Sequence, residues 1–181
     1  MVRSMERVHK IWEHPLYQEQ FQNLQLAETE RRFCRHTLEH FLDVARLAYI
    51  NSLENDVGLP KEIIYAAALL HDIGRYAQIT RGISHEKAGA ELAGRIMADC
   101  GYLPEEISAV QEAILNHRNT GDAAMSEQIS AGSRKNQAHS ASSALSALLY
   151  RADKQSRCCF ACPAAGECNW SQEKRNLQIT I

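Results

Sequence analysis

Apolar residues recur at intervals of three and four along almost all of this 181-residue chain, and strand-like alternation is hard to find. This spacing predicts amphipathic helices rather than strands. With 45% hydrophobic residues, the chain is long enough for one ordinary core and too short for two. The expected fold class is therefore all-α, a single domain formed by a compact bundle of about six main helices.

Start and stop signals place the helices along the chain. We expect helices over residues 2–13, from 16 onward into 33–52, over 60–72, 85–99, 104–118 and 144–155. Pro60 suits the first turn of its helix, and Gly101 suits a positive φ just after a helix end. Residues 76–83 are expected to form a loop. Residues 119–143 are rich in Gly, Ser, Ala and Asn and predict a long flexible loop or a segment that becomes ordered on binding.

The charge balance excludes some classes of partner. A formal net charge of -2 gives no broad basic surface for duplex nucleic acid or an anionic membrane, although a local cation could still hold a small anionic substrate. No apolar stretch approaches the roughly 20 residues that span a bilayer, and the N-terminus lacks the apolar region of a secretory signal. We therefore expect a cytoplasmic protein without a membrane partner.

The pair His71-Asp72 closes an apolar run over residues 63–70. An imidazole beside a carboxylate at the end of a buried helix supplies two metal ligands, but alone the pair also fits a core histidine followed by a helix-terminal aspartate. Other His and Asp residues lie near the ends of expected helices: His36, His40, His85, His117 and Asp153. Helix ends in a small bundle can converge on one interior site, as in metal-binding bundles.

The order of these residues resembles the HD-domain metal-dependent phosphohydrolases over about residues 33–156. His40 with Val-Ala four and five residues later resembles the first motif of that family. Residues 66–75 are similar to the second motif, with Arg75 where Lys is usual. His85 within residues 84–93 and His117 within 113–117 resemble two motifs of the two-metal subset, and Asp153 matches the final ligand. That subset includes ribonuclease Y, cyclic-dinucleotide phosphodiesterases of the HD-GYP type, and HD-type dinucleoside tetraphosphate hydrolases.

The resemblance implies one or two divalent ions (Fe, Mn, Zn, Co or Mg), and the sequence does not decide between one and two. The first would be held by His40, His71, Asp72 and Asp153, and the second by His85 and His117 with Asp72 as a bridge. It also implies hydrolysis of a phosphate ester or anhydride, in a nucleotide or other small phosphorylated molecule, by metal-activated water. Asp72 would assist catalysis, and Arg75 or Lys154 would hold phosphate oxygens. For Arg75, a solvated surface charge is an equal alternative.

Two alternatives concern the first histidine. His36 and His40 are four residues apart and would share a helix face, so either could reach a metal. The Val-Ala spacing favours His40 and leaves His36 as an extra ligand, a substrate contact or a structural residue. The same segment matches the HxxEH pattern of inverzincin peptidases, but those enzymes are far larger, and a peptidase would leave the later His and Asp residues unexplained.

Two other functions also remain open. One is a non-catalytic module that senses a nucleotide, and the other, disfavoured by the net charge, is an RNA phosphodiesterase. The sequence predicts neither the identity of the substrate nor the oligomeric state.

Four of the six cysteines lie within residues 158–168, which favours reduced thiols or metal ligands over disulfides. Cys159, Cys162 and Cys168 are close enough in sequence to hold a structural metal or iron–sulfur group. The lack of an accompanying His or second C-x2-C pair favours ordinary thiols instead. We accordingly expect an N-terminal helical extension over residues 1–32, the phosphohydrolase-like domain over 33–157, and a Cys-rich C-terminal segment over 158–181.

Overall fold

The computed structural model describes residues 5–117 and 137–179, the side chains of 137–141 excepted. The described residues form eight α-helices and no strand, which confirms the all-α prediction. The helices are α1 (Glu6–Glu13), α2 (Pro15–Ala27), α3 (Leu38–Glu54), α4 (Lys61–Leu70), α5 (Arg75–Arg81), α6 (His85–Asp99), α7 (Pro104–Asn116) and α8 (Gln137–Gln155). Three short 3-10 turns follow α8, at Cys159–Ala161, Ala165–Glu167 and Gln172–Lys174.

Helix α4 runs through the centre of the bundle. All of its residues from Ile63 to Leu70 are buried except Tyr65, so the helix is apolar on nearly every side. Helix α3 packs against α4 and α8, and α7 packs against α6, α8 and α4. Helices α1 and α2 add Ile11, Tyr17 and Leu24 to the same core, so the N-terminal helices pack against the rest of the bundle. The C-terminal end of α4 therefore lies in the interior, surrounded by other helices.

Residues 76–83, expected to be a loop, lie mostly in helix α5. The chain re-enters a helix at Arg75, directly after the turn formed by residues 71–74. Ala77 is the buried residue of α5, so the helix lacks the apolar stripe that would have revealed it in the sequence. Gly82, with a φ of 67°, ends the helix in the left-handed conformation that glycine adopts without strain.

The helix expected over residues 33–52 begins at Leu38 instead. Thr37 takes an extended conformation at the N-cap, and its side chain accepts a hydrogen bond from the backbone amide of His40. Phe33, the first residue of the expected range, lies outside the helix and is 38% exposed. His36 also precedes the helix, so the prediction that His36 and His40 share one helix face is wrong.

Helix α8 begins at Gln137, seven residues before the expected start at 144. Ser142 and Ser146 are buried, and the Ser146 hydroxyl donates to the carbonyl oxygen of Ser142 at 2.8 Å. Small side chains that bond to their own helix backbone can be buried without an apolar pattern, which explains why the sequence suggested a loop. The rest of that expected loop, residues 119–136, lies outside the described residues.

Other boundaries agree with the sequence. Helix α6 has the expected bounds, and Gly101 has the expected positive φ, at 81°. Ser84 occupies the N-cap position of α6, but its hydroxyl donates to the Glu86 carboxylate instead of accepting from a backbone amide. Within the described parts of the chain, every helix is too short or too polar to cross a lipid bilayer.

Candidate metal centre

Helix ends place the His and Asp side chains in one buried region. His71 and Asp72 follow the last residue of α4, and His117 follows the last residue of α7. His85 is the first residue of α6. The first turn of α3 contributes His40, and the last turn of α8 contributes Asp153. The helix packing therefore brings together residues that are more than 100 positions apart.

These side chains form two groups with the spacing of metal ligands. Within each group, the candidate ligand atoms all lie within 4.8 Å of one another. The first group is His40, His71, Asp72 and Asp153, and the second is Asp72, His85 and His117. Asp72 belongs to both groups, and its two oxygens can face two ions. This is the grouping that the sequence motifs imply.

Hydrogen bonds determine which ring nitrogen of His40, His71 and His117 is available to bind a metal. The Nδ1 of His71 lies 2.7 Å from the carbonyl oxygen of Ala68, and the Nδ1 of His117 lies 2.6 Å from that of Ile114. A carbonyl oxygen only accepts, so each Nδ1 carries a proton, and Nε2 is the nitrogen of each ring that can bind a metal. Ser156, which donates to the carbonyl of Asp153, likewise accepts from the Nδ1 of His40 at 3.1 Å. All three Nε2 atoms are thus prepared as ligands.

Buried nitrogen atoms without partners show that the region fits a metal ion. The Nε2 of His71 and both ring nitrogens of His85 are buried and form no well-directed hydrogen bond among the described residues, although both Nε2 atoms lie 3.3 Å from oxygens of Asp72. Leaving a buried polar atom unpaired costs about 1–3 kcal/mol. Imidazole nitrogens and carboxylate oxygens are ligands for Fe, Mn, Zn or Co, so the donor set matches such an ion.

Burial keeps most of these imidazoles neutral, the form that binds metals. It lowers the pKa of His40 to about 4 and that of His85 to about 3, and it also lowers the pKa of His117. His71 differs, because Asp72 and Asp153 outweigh the effect of burial and raise its pKa to about 10. In the absence of an ion, His71 therefore holds a proton between two carboxylates.

Asp72 is the most connected side chain of the region. Its Oδ2 lies 3.3 Å from the Nε2 atoms of both His36 and His71, and its Oδ1 lies 3.3 Å from the Nε2 of His85. The Nε of Arg75 donates to the same Oδ1 at 2.9 Å. Burial alone would raise the pKa of Asp72, but His71 and Arg75 hold it well below its usual range. The carboxylate is therefore ionised and fixed in position.

His36 lies outside both ligand groups but contacts Asp72, which belongs to both. The Nδ1 of His36 donates to the Oε1 of Glu28 at 2.7 Å, and its backbone amide donates to the Oε2 at 2.8 Å. Both side chains are buried. Glu28 therefore orients His36, which in turn contacts Asp72. The geometry favours His40 over His36 as the first ligand and gives His36 a supporting position.

The basic residues named from the sequence have different surroundings. Arg75 is tied to Asp72 and to Gln78, so it is not a freely solvated surface charge. The ammonium of Lys154 lies 3.6 Å above the ring of Tyr150, one turn back along α8. Arg157 is a further cation next to the first group, with Nη2 2.8 Å from the Nε2 of His40 and 3.4 Å from the Oδ1 of Asp153.

The guanidinium of Arg157 donates a hydrogen bond to the Nε2 of His40, the atom that would bind an ion. The guanidinium is buried, its Nη1 donates to the carbonyl oxygen of Arg35 at 3.0 Å, and its Nε has no hydrogen-bond partner among the described residues. An ion bound by the first group would require this guanidinium to turn away from His40. A cavity of about 390 Å³, which His40 and Arg157 both line, provides space for that movement.

Sequence reasoning missed Glu28 and Arg157. Arg157 stands four residues after Asp153, a helical spacing that could have revealed it. Glu28 lies in the charged stretch Glu28-Thr29-Glu30-Arg31-Arg32, which is typical of a solvated surface and gives no sign of a buried carboxylate. Cys159, Cys162 and Cys168 lie outside both ligand groups.

Comparisons with known proteins agree with this arrangement. The family model described as HD domain matches residues 37–158. An uncharacterized protein of Clostridium beijerinckii is 40% identical over 152 residues, which cover 84% of each chain. A bifunctional uridylyltransferase/uridylyl-removing enzyme of Cereibacter sphaeroides is 31% identical over 106 residues, but these amount to 59% of this chain and 10% of that enzyme.

A solved structure has a similar fold. It is described as a predicted HD superfamily hydrolase from an uncultured Thermotogales bacterium, with a TM-score of 0.56 and 21% sequence identity, over 88% of this chain and 81% of that one. At that identity the likeness concerns the fold alone. The family match spans well over half of the sequence and includes every member of the two ligand groups. This chain belongs to the HD domain family.

Proposed function

We propose that the protein is a metal-dependent phosphohydrolase that cleaves a phosphate ester or anhydride in a nucleotide or another small phosphorylated molecule. The observation that carries the proposal is the pair of ligand groups that share Asp72. Two neighbouring sites of this kind suit phosphate chemistry, because two ions can bind oxygens of one phosphate group.

The residues that would hold the ions are those of the two groups. His40, His71, Asp72 and Asp153 would hold the first, and Asp72, His85 and His117 the second. When bound, the ions would supply Lewis acidity toward the phosphate oxygens and toward the attacking water. The identity of the metal is part of the proposal, with Fe, Mn, Zn and Co as the candidates that suit an imidazole-rich donor set.

The protein's own side chains would orient the ligands and the substrate. Arg75 and His36 hold Asp72 through its two oxygens, and His71, which otherwise retains a proton, would release it when its Nε2 becomes a ligand. Arg157 and Arg32 line the cavity beside His40 and would attract an anionic substrate. The volume of that cavity, about 390 Å³, suits a small molecule.

Metal content and hydrolysis in matched variants test the proposal. Asp72→Ala removes a ligand of both ions, so bound metal should fall to near zero and hydrolysis should fall at least about a hundredfold. His117→Ala removes a ligand of one ion and should lose about half of the metal. His9→Ala on the exposed face of α1 is the control and should keep both.

The measurements are elemental analysis of the purified protein and a screen over nucleotides, dinucleoside polyphosphates and cyclic dinucleotides. Full hydrolysis by Asp72→Ala would rule out the proposed site. Binding of a nucleotide without turnover by the metal-loaded wild type would instead identify a sensing module.

A further inference from the structure

Four cysteines from two distant parts of the sequence line one cavity. Cys34 lies between α2 and α3, whereas Cys159, Cys162 and Cys168 lie in the segment after α8. All four border a cavity of about 340 Å³. Cys34 thus supplies a fourth thiol next to those of Cys159, Cys162 and Cys168. All four thiols are free.

The spacing of the sulfurs argues against a single zinc ion. Zn–S bonds of about 2.3 Å in a tetrahedral site place the four sulfurs about 3.8 Å apart. Among the described residues, groups of three or more candidate ligand atoms mutually within 4.8 Å contain no cysteine. The thiolates of a [4Fe–4S] cluster each bind a different iron and stand farther apart around a central volume. Four thiols that border one cavity without lying as close together as a zinc site requires fit that second arrangement better.

The C-terminal segment has almost no core of its own. In residues 158–179, Ala164 is the single buried residue, and the regular structure consists of three 3-10 turns. Arg175 ties these turns together by donating to the carbonyl oxygens of Ala165, Cys168 and Trp170. A segment with so little buried apolar surface needs another source of stability, and a bound metal group is a common one in small domains.

Charges around the cavity suit an anionic group. Arg31 and Arg175 both line it, so two cationic side chains border the cavity together with the four thiols. The backbone amide of Asn176 forms a hydrogen bond with the sulfur of Cys159, which opposes the rise in the pKa of Cys159 that burial causes. Backbone amides directed at cysteine sulfur are typical of iron–sulfur sites.

A bidentate ion pair holds the two halves of the cavity together. Arg32, two residues before Cys34, donates to both oxygens of Glu167, the neighbour of Cys168, at 2.8 and 2.9 Å. This exposed pair links the segment of Cys34 to the segment of Cys168 without using the core. From the cavity, the sulfur spacing and these surroundings, we infer that Cys34, Cys159, Cys162 and Cys168 bind a [4Fe–4S] cluster.

Iron and acid-labile sulfide measured after purification under anaerobic conditions test this inference. The wild type should hold about four sulfides per chain, with a broad visible absorption that bleaches on reduction. Sulfide distinguishes the cluster from any iron held by His and Asp ligands. Asp72→Ala should therefore keep its sulfide, and the outcome does not depend on whether the protein is a hydrolase.

Cys34→Ser should lose at least about three quarters of the sulfide, since it removes one of four ligands. Cys158→Ser is the matched control, because Cys158 is exposed, lies beside Cys159 and does not line the 340 Å³ cavity. If the wild type holds one zinc per chain and no sulfide, and Cys34→Ser loses that zinc, the cysteines form a mononuclear zinc site and the cluster is ruled out. Wild type that contains neither sulfide nor cysteine-bound metal, even after incubation with iron and sulfide, would overturn the inference without relying on a variant.

Discussion

Glu28, His36 and Asp72 form a buried chain that supports the metal centre. The Glu28 carboxylate accepts hydrogen bonds from both the backbone amide and the ring Nδ1 of His36, and the Nε2 of His36 lies 3.3 Å from Asp72. Burial alone would raise the pKa of Glu28, but His36 and Arg31 lower it, so the carboxylate is ionised. Side chains that contact a metal ligand in this way fix the orientation of the ligand without binding the metal themselves.

Glu28→Gln tests this supporting role. The amide keeps the shape of the side chain but offers a single acceptor oxygen, so it cannot receive both donors of His36. We expect metal affinity to fall about 10–100-fold while the ligand residues remain in place. Competition with a chromophoric chelator measures the change.

Glu39→Gln is the control for Glu28→Gln, because Glu39 is exposed in the first turn of α3 and lies outside both ligand groups. Its metal affinity should equal that of the wild type. Wild-type affinity in Glu28→Gln would mean that helix packing alone positions His36.

Residues that follow one another within a motif could be predicted from the sequence, whereas residues that reach the site from elsewhere could not. The grouping of the His and Asp side chains follows the order of their motifs along α3, α4, α6, α7 and α8. Glu28 and Cys34 belong to no such motif, and both lie in the stretch 28–35, which is rich in charged residues. Their importance depends on tertiary contacts, which a single sequence does not encode in any local spacing.

At the level of elements, the turn after α4 lies directly against the backbone of α6, and this contact sets the distance between the two ligand groups. Gly74 ends the turn after Asp72, and a Cβ added there would lie 2.2 Å from the carbonyl oxygen of His85 and 2.5 Å from the amide nitrogen of Gly89. Both atoms belong to the backbone of α6. Because the contact is between backbones, no side chain can move aside to make room. The absence of a side chain at Gly74 thus allows His85 to reach Asp72.

Gly74→Ala should therefore harm both stability and metal binding. The clash forces α6 away from the turn, and we expect the free energy of unfolding to fall by at least about 2 kcal/mol. The second ligand group should open, so the metal content should fall as well. Chemical denaturation and elemental analysis measure the two effects.

Gly166→Ala provides the comparison, since a Cβ at Gly166 would meet nothing within 4 Å. This variant should differ from the wild type by less than about 0.5 kcal/mol. Equal stability of the two variants would show that α6 can shift without cost and would remove the geometric role assigned to Gly74.

At the scale of the whole molecule, Arg7 fastens the N-terminal helix to two others. Its guanidinium lies 2.8 Å from Glu62 of α4 and 2.7 Å from Glu106 of α7, and it covers the ring of Tyr102 at 4.3 Å. Glu106 also accepts from the backbone amide of Leu103 at 2.8 Å. Helix α1 buries only Val8 and Ile11 almost completely, so these polar contacts add to its attachment.

Arg7→Ala should destabilise the protein in a manner that depends on pH. At neutral pH we expect a loss of about 1–2 kcal/mol in the free energy of unfolding. Burial would raise the pKa of Glu106, but Arg7 and the Leu103 amide lower it below its ordinary value of 4.5. A carboxylate with a lowered pKa stabilises the folded state fully above pH 4.5, and this contribution disappears as the pH falls through the folded-state pKa.

The difference in stability between the wild type and Arg7→Ala should therefore narrow below about pH 4.5. Urea denaturation at pH 7, 5 and 3.5 measures it. Arg46→Ala is the control, because Arg46 pairs with Asp43 on the exposed surface of α3, where such pairs contribute about 0–1 kcal/mol. A destabilisation by Arg7→Ala that stays constant with pH would assign the effect to the packing of Arg7 on Tyr102 rather than to its ion pairs.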